Sequence, residues 1–229
     1  MPKCRDKRPL TKRFVVLCEG STECHYVEGL KRWLKQEFPC SSIQIKPDEV
    51  GGGGYADIRD RLSKQPDSNC LAIIVLFDFD RYIEHPWERE VFKEILGLAQ
   101  GSTKRRVPII LVLSNRDFEY VLCCHDPKYR NGDTEQFLIN DWKYGSLEDC
   151  KGDEKVWEKA HAGERSHKVA LSRLSSGQCV VRNDLNIDFK RLAKQVILND
   201  VTFDADNQAS RSSNISDLFD IVCGGAASE

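Results

Sequence analysis

Short apolar runs alternate with amphipathic stretches through the first half of the chain. RFVVLC, residues 13–18, is a continuous apolar run, the pattern of a strand buried on both faces. Tyr26, Leu30, Trp33 and Leu34 then recur at helical spacing, which predicts a helix capped by Ser21 or Thr22 and ended by Pro39. SIQIK, 42–46, alternates and reads as a second strand, and ADIRDRLSKQ, 56–65, as a short helix that stops before Pro66. CLAIIVLFDFD, 70–80, is the strongest strand signal and is expected at the centre of a sheet. Val91, Ile95 and Leu98 mark one face of a helix over 87–99. VPIILVLS, 107–114, is a fourth buried strand, and DFEYVLCCH, 117–125, begins another helix. Strand and helix thus alternate, which predicts an α/β layer with a mostly parallel four-stranded sheet flanked by helices.

After His125 the pattern changes. DPKYRNGDTEQ, 126–136, is polar and turn-rich. Helices are expected near 153–174, 187–198 and 214–223, and strand signals are weak. The expected organisation is an α/β domain at 10–125 and a mainly helical C-terminal lobe at 126–229. With 229 residues and 40% hydrophobic content, the chain can bury one ordinary core with a lobe attached.

Charge and cysteine content narrow the setting. The net charge of −2 and the pI of about 6.2 give no global basic field, so a nucleic-acid partner has to be met by local patches. The basic start MPKCRDKRPLTKR is followed by no signal-type apolar region, and the apolar run 71–77 is too short to span a bilayer. A cytoplasmic protein without membrane contact is expected. The ten cysteines include no CxxC pair, and Cys150, His161 and His167 match no standard zinc spacing. They read as reduced, mostly structural thiols.

The chemistry gathers at the carboxyl ends of the strands, where open parallel sheets hold their ligands. The first strand ends in Glu19 and the third in Asp78 and Asp80. The fourth ends in Ser114 and Asn115, with Glu119 one helical turn on. In extended chain, residues i and i+2 point the same way, which would aim Asp78 and Asp80 into one pocket, roughly 7 Å apart at their Cα atoms. Gathered carboxylates repel unless a cation joins them, and an all-oxygen set suits Mg²⁺ or Mn²⁺. Gly20 is expected to let the chain turn sharply and present Glu19. GGGGY, 51–55, is either a backbone cradle for a phosphate or a plain connector; no Gly-Lys-Ser/Thr follows it, so it is not a Walker loop. Arg81 and Arg116 lie near the rim. STKRR at 102–106 and KYR at 128–130 are further basic clusters. Arg165, His167, Lys168 and Arg173 fall on one expected C-terminal helix that would reach a phosphate backbone if it folded over the site.

VVLCEGSTE followed by LFDFD resembles the topoisomerase–primase (Toprim) domain, in which one strand ends in Glu-Gly and a later one in Asp-x-Asp. More particularly, VVLCEGSTECHYVEGL, VLFDFDR, LSNRDFEYVLCCH and the closing RSSNISDLFDIV at 211–222 resemble the RloB-like proteins of bacteria. The motifs span nearly the whole chain. Two departures stand in the third motif: Arg116 where the family usually has Pro, and Tyr120 where Trp is common.

The resemblance implies an Mg²⁺- or Mn²⁺-dependent nuclease that cuts DNA or RNA, tRNA included, in defence against phage or foreign DNA. It leaves room for a homodimer and for a protein partner encoded by a neighbouring defence gene. Glu19 would bind metal or act as general acid–base, and Asp78, Asp80 and Glu119 would be ligands. Glu23 is either a further ligand or an acid favoured at a helix N-terminus. Gly20, Arg81, Ser114, Asn115, Arg116 and Lys168 are the candidate substrate contacts. Two other functions use the same residues: primase-like nucleotidyl transfer, and a non-catalytic regulatory module that binds nucleic acid. A haloacid-dehalogenase phosphatase fits poorly, because its DxD follows the first core strand rather than the third.

Overall fold

A computed structural model of the chain describes residues 12–39, 41, 43–51, 53–64, 70–105, 107–174, 179–188 and 195–227. Its main sheet has five strands: β1 (Lys12–Cys18), β2 (Ile43–Glu49), β3 (Ala72–Asp78), β4 (Ile109–Asn115) and β7 (Ser212–Ser213), in the order β2-β1-β3-β4-β7. All neighbours are parallel except the short antiparallel β7. The apolar run of β3 therefore occupies the centre, as its composition demands, and β4 is buried along its whole length. β2 carries Pro47 and is half exposed, both normal for an edge strand.

Helices flank the sheet. They are α1 (Ser21–Glu37), α2 (Tyr55–Lys64), α3 (Asp80–Glu84), α4 (Glu88–Ser102) and α5 (Phe118–Cys124). Beyond them come α6 (Thr134–Asn140), α7 (Leu147–Lys151), α8 (Val156–Ala160), α9 (His167–Leu174) and α10 (Ser216–Ala227). One continuous cluster of buried side chains joins the sheet to the later helices. Among the described residues, no helix is long and apolar enough to cross a membrane. The eight described cysteines form no disulfide, and Cys18, Cys123, Cys124 and Cys150 are buried.

The C-terminal half departs from a helical lobe. The helix expected over 187–198 is instead part of an antiparallel hairpin, β5 (Val181–Asp188) and β6 (Gln195–Phe203); residues 189–194 lie outside the described part. The helix expected over 153–174 is two separate helices, α8 and α9. β7 also makes the sheet five-stranded rather than four-stranded. It comes from the closing segment and pairs Ser213 with Ser114 and Ser212 with Asn115.

β7 covers only the end of β4. Upstream of it, two side-chain amides stand in for a strand. Asn214 accepts from the Leu113 N–H and donates to the Leu111 carbonyl, both at 2.8 Å. Asn183 accepts from the Leu111 N–H at 3.4 Å and donates to the same carbonyl at 2.8 Å. Both amides also donate to Asp217. Because Asn214 is buried, Asn214→Leu would strand the Leu113 N–H, and we expect a loss of about 1–3 kcal/mol by urea unfolding. A midpoint unchanged from the parent chain would show that water replaces the amide.

Candidate active site

The carboxyl ends of β1, β3 and β4 lie on one rim. Glu19 follows β1, where its N–H donates to the Leu76 carbonyl of β3 at 3.0 Å. Asp78 is the last residue of β3 and pairs with Ser114 of β4. The Phe79 N–H then donates to the carbonyls of Ser114 and Arg116, and the Asp80 N–H to that of Arg116. These bonds tie the Asp-Phe-Asp turn to the end of β4. Phe79 has helical backbone angles, so Asp80 opens α3 instead of extending β3. The expected same-side projection from extended chain is therefore not the geometry. Both carboxylates reach the same place by a turn, because buried Phe79 is pulled into an aromatic cluster with Tyr82, Phe92 and Phe203.

Glu19, Glu23, Asp78, Asp80 and Glu119 line one cleft of about 220 Å³, together with Arg81 and Lys151. Arg81 Nε lies 2.7 Å from Glu19 Oε1, and the Asp78 N–H donates to Glu19 Oε2 at 3.1 Å. The Tyr55 hydroxyl donates to the Asp78 carbonyl at 2.6 Å. Asp78 Oδ1 is buried with no hydrogen-bond partner.

Burial lifts all five carboxyls above their ordinary range. Asp78 is raised well above it, by burial first and then by the charges of Glu23, Glu119, Glu19 and Asp80. Glu23 is raised to about 8, again by burial first, with Glu19 and Glu119 adding to the shift. For Glu19 the Asp78 amide and Arg81 oppose the effect of burial, and for Asp80 the Arg81 amide does so. For Glu119 its own amide and the charge of Lys151 oppose it.

An orphaned acceptor amid acids of raised pKa fits a divalent cation, and the oxygen-only donors fit Mg²⁺ or Mn²⁺. Asp78, Asp80 and Glu119 are the residues that would hold it. Among the described residues, no group of three His, Cys, Asp or Glu side chains is already arranged around a common metal position. Glu19 is closed on Arg81, so to serve as a ligand it would have to exchange that guanidinium for the ion.

Several expectations need correction. α1 is capped by neither Ser21 nor Thr22: Gly20 is its N-cap, with no side-chain cap. Gly20 is extended, at φ −129°, a conformation open to any residue. What a side chain there would meet is Glu23, whose Oε2 stands 3.2 Å from the place of a Cβ. Glu23 is the third residue of the helix, and the amides of Gly20 and Glu23 oppose the rise that burial gives its pKa.

The glycine loop is not part of the cleft wall among its described residues. Gly54 has a φ of +82°, and a Cβ on it would lie 2.5 Å from Glu88 Oε1 and 2.7 Å from Arg81 Nη1. The loop therefore packs on the Arg81–Glu88 pair, which is 3.6 Å apart.

Of the expected substrate contacts, only Gly20 and Arg81 line the cleft. Asn115 is buried and turns away, donating to the carbonyls of Gln208 and Ser210. Ser114 is buried within the sheet, Arg116 is exposed beyond it, and Lys168 is exposed on α9. Lys151 is a cleft residue that sequence reasoning misses. It reaches the cleft because its carbonyl accepts from Ser21 Oγ at 3.3 Å across 130 residues, and no local pattern marks that contact. His161 and His167 stand 3.1 Å apart, Nε2 to Nδ1, in an aromatic cluster with Trp157 and Phe219.

Comparison with protein-family models, with curated proteins and with solved structures finds no match to this chain. The chemistry of the cleft therefore has to carry the functional reading.

Proposed function

We propose that the chain is a metal-dependent nuclease of the Toprim type, acting on phosphodiesters of DNA or RNA. The observation that carries the reading is that Glu19, Asp78, Asp80 and Glu119, from three adjacent strand ends, line one cleft, and that Asp78 has a buried oxygen without a partner there. The resemblance of the Glu-Gly, Asp-x-Asp and Ser-Asn segments to RloB-like proteins supports it and suggests a defence role. When bound, Mg²⁺ or Mn²⁺ would supply Lewis acidity and a reactive water-derived nucleophile. Asp78, Asp80 and Glu119 fix the position at which that charge is held. Glu19 has its carboxylate oriented by the Asp78 amide and Arg81, and its raised pKa suits proton exchange with a reacting oxygen. Arg81, once released from Glu19, is placed to neutralise a non-bridging phosphate oxygen.

The test is incubation of the purified chain with Mn²⁺ and, separately, plasmid, single-stranded DNA and total tRNA, with an EDTA control. Cleavage of at least one substrate, absent in EDTA, is expected. Binding without cleavage of any of them would overturn the nuclease in favour of a regulatory module. Incorporation of labelled nucleotides instead would assign the carboxylates to nucleotidyl transfer.

A further inference from the structure

The acidic cleft cannot itself attract a polyanion: five carboxylates face Arg81 and Lys151. With a net charge of −2, the chain offers no global pull either. A nuclease built this way needs a separate cationic surface close to the cleft.

One is present around the turn at 127–132. Arg130 Nη1 and Arg173 Nη2 both donate to the Pro127 carbonyl, the latter at 2.8 Å. The same two side chains share the Tyr129 carbonyl, at 3.1 Å and 2.9 Å. Arg211 Nη1 donates to the Gly132 carbonyl at 3.0 Å and to the Tyr129 hydroxyl at 3.1 Å. Three guanidiniums are thus gathered on one turn, with exposed Lys128 beside them. Among the described residues, no carboxylate lies within ion-pair distance of Lys128, Arg130 or Arg211. Asp126, the acid nearest Lys128 in sequence, is buried and paired with Arg165 at 3.0 Å. Asp133 and Asp141 line the adjoining cleft of about 410 Å³ without pairing to Lys128, Arg130 or Arg211.

Lys128, Arg130 and Arg211 are like charges in no ion pair among the described residues, although Asp133 and Asp141 share the cleft with the first two, and an anion relieves their repulsion. Pinning each guanidinium to a carbonyl or phenol fixes the fork and leaves further N–H donors for that anion. Arg211 links the cluster to the end of β4 and the start of α5. Arg211 precedes Ser212, which pairs with Asn115 at the end of β4. Its guanidinium lies 5.9 Å from the ring centre of Tyr120, the neighbour of Glu119 on α5.

We propose that Lys128, Arg130 and Arg211, on a turn braced by Arg173, form a phosphodiester-binding surface on which a nucleic-acid strand lies while its scissile bond enters the carboxylate cleft. This assignment rests on the nuclease reading for its ligand. The test separates the two by measuring binding in EDTA, where nothing is cut. Labelled single-stranded DNA and RNA of the same sequence are titrated across a salt series with the full chain and with the double variant Lys128→Gln/Arg130→Gln. Both residues are exposed, but Arg130 also holds two carbonyls of the turn, so the unfolding transition of the double variant is checked and Lys128→Gln alone, which breaks neither of those bonds, is run beside it.

Removing one cation that neutralises a phosphate should lower the slope of log affinity against log salt by about 0.7 for a single strand, or about 1.4 for the pair. Affinity near physiological salt should fall about tenfold or more. Arg211→Gln, checked for folding, should add a further decrease. Unchanged slope and affinity in folded variants overturn the surface, as does a wild-type chain that binds neither probe. Variant-sensitive binding of polyglutamate but not nucleic acid also overturns it and assigns the patch to an acidic protein. Cleavage by wild type with Mn²⁺ that the double variant matches at low substrate concentration removes the surface and leaves the nuclease. Binding through the patch with no cleavage under any metal does the reverse.

Discussion

Asp78→Asn is expected to raise the thermal midpoint of the metal-free protein while removing phosphodiester cleavage. Asp78 ends the central strand, with its amide on Glu19 and its carbonyl under the Tyr55 hydroxyl. Neither backbone contact depends on the side-chain charge. The side chain, by contrast, carries a buried oxygen without a partner and stands among four other acids. Its ionised form is therefore disfavoured until a proton or a cation joins it. Asn keeps the shape, removes the charge, and adds an N–H₂ that a neighbouring carboxylate can accept from. The stabilisation should appear as a rise of a few degrees, since about 1 kcal/mol moves a chain of this size by about 2–4 °C. Cleavage should fall by more than about a hundredfold, because even outer-shell partners of a metal commonly cost 10–100-fold when removed. Thermal unfolding in EDTA and the cleavage assay together decide the matter. A variant that is less stable than the parent yet still cuts would show that Asp78 is held by packing and is not a ligand.

The acids are legible in the sequence because each follows a short, wholly apolar run, and parallel strands bring such run-ends to one edge. That logic needs no knowledge of long-range packing. Where packing decides, the sequence misleads. An Asp-x-Asp after a strand looks extended, yet buried Phe79 draws the turn into a helix. Gly20 looks like a sharp turn, but its backbone is ordinary and the space it leaves is taken by Glu23. The hairpin is in fact written in period two: Val181, Leu185 and Ile187 alternate along β5, and Val196 and Leu198 begin β6 the same way. In β6 the register shift leaves Asn199 without a partner, which moves the buried positions from 196 and 198 to 201 and masks the strand. Position at a strand end puts Asn115 near the rim, and a C-terminal helix folded over the site would put Lys168 there. The 207–210 turn claims the first, and α9 carries the second away from the cleft. Lys151 and Arg211 escape notice for the complementary reason: each reaches its place across many tens of residues.

The second large effect is a fall in stability with rising pH that a divalent cation cancels. Glu23 titrates at about 8 in the folded chain, against about 4.3 when unfolded. Glu19, Asp78, Asp80 and Glu119 are shifted in the same direction. A raised carboxyl binds a proton in the folded state that the unfolded chain has already released. Stability therefore declines as pH rises from the unfolded value towards the folded one, and the penalty is complete above it. The histidines of the aromatic cluster act oppositely and elsewhere. His125, His161 and His167 are all lowered by burial, so their cost appears as pH drops below about 6.5.

The window from pH 7 to about 8 lies above the histidines and belongs mainly to the carboxylates. Nearer pH 8.5 the buried thiols Cys18, Cys123, Cys124, Cys150 and Cys223, all raised by burial, add a fall of the same sign that the ion does not cancel. In EDTA, the midpoint should drop steadily across this window. With saturating Mn²⁺ it should be higher and nearly level, because the ion replaces the protons that the acids would otherwise need. Glu23→Gln should flatten the profile in EDTA. Calorimetric titration of Mn²⁺ at pH 7 in two buffers of different ionisation enthalpy should show net proton release, reduced in the same variant. A metal-free midpoint constant across that window, combined with no proton release on adding Mn²⁺, would mean that the five carboxyls do not share one electrostatic site.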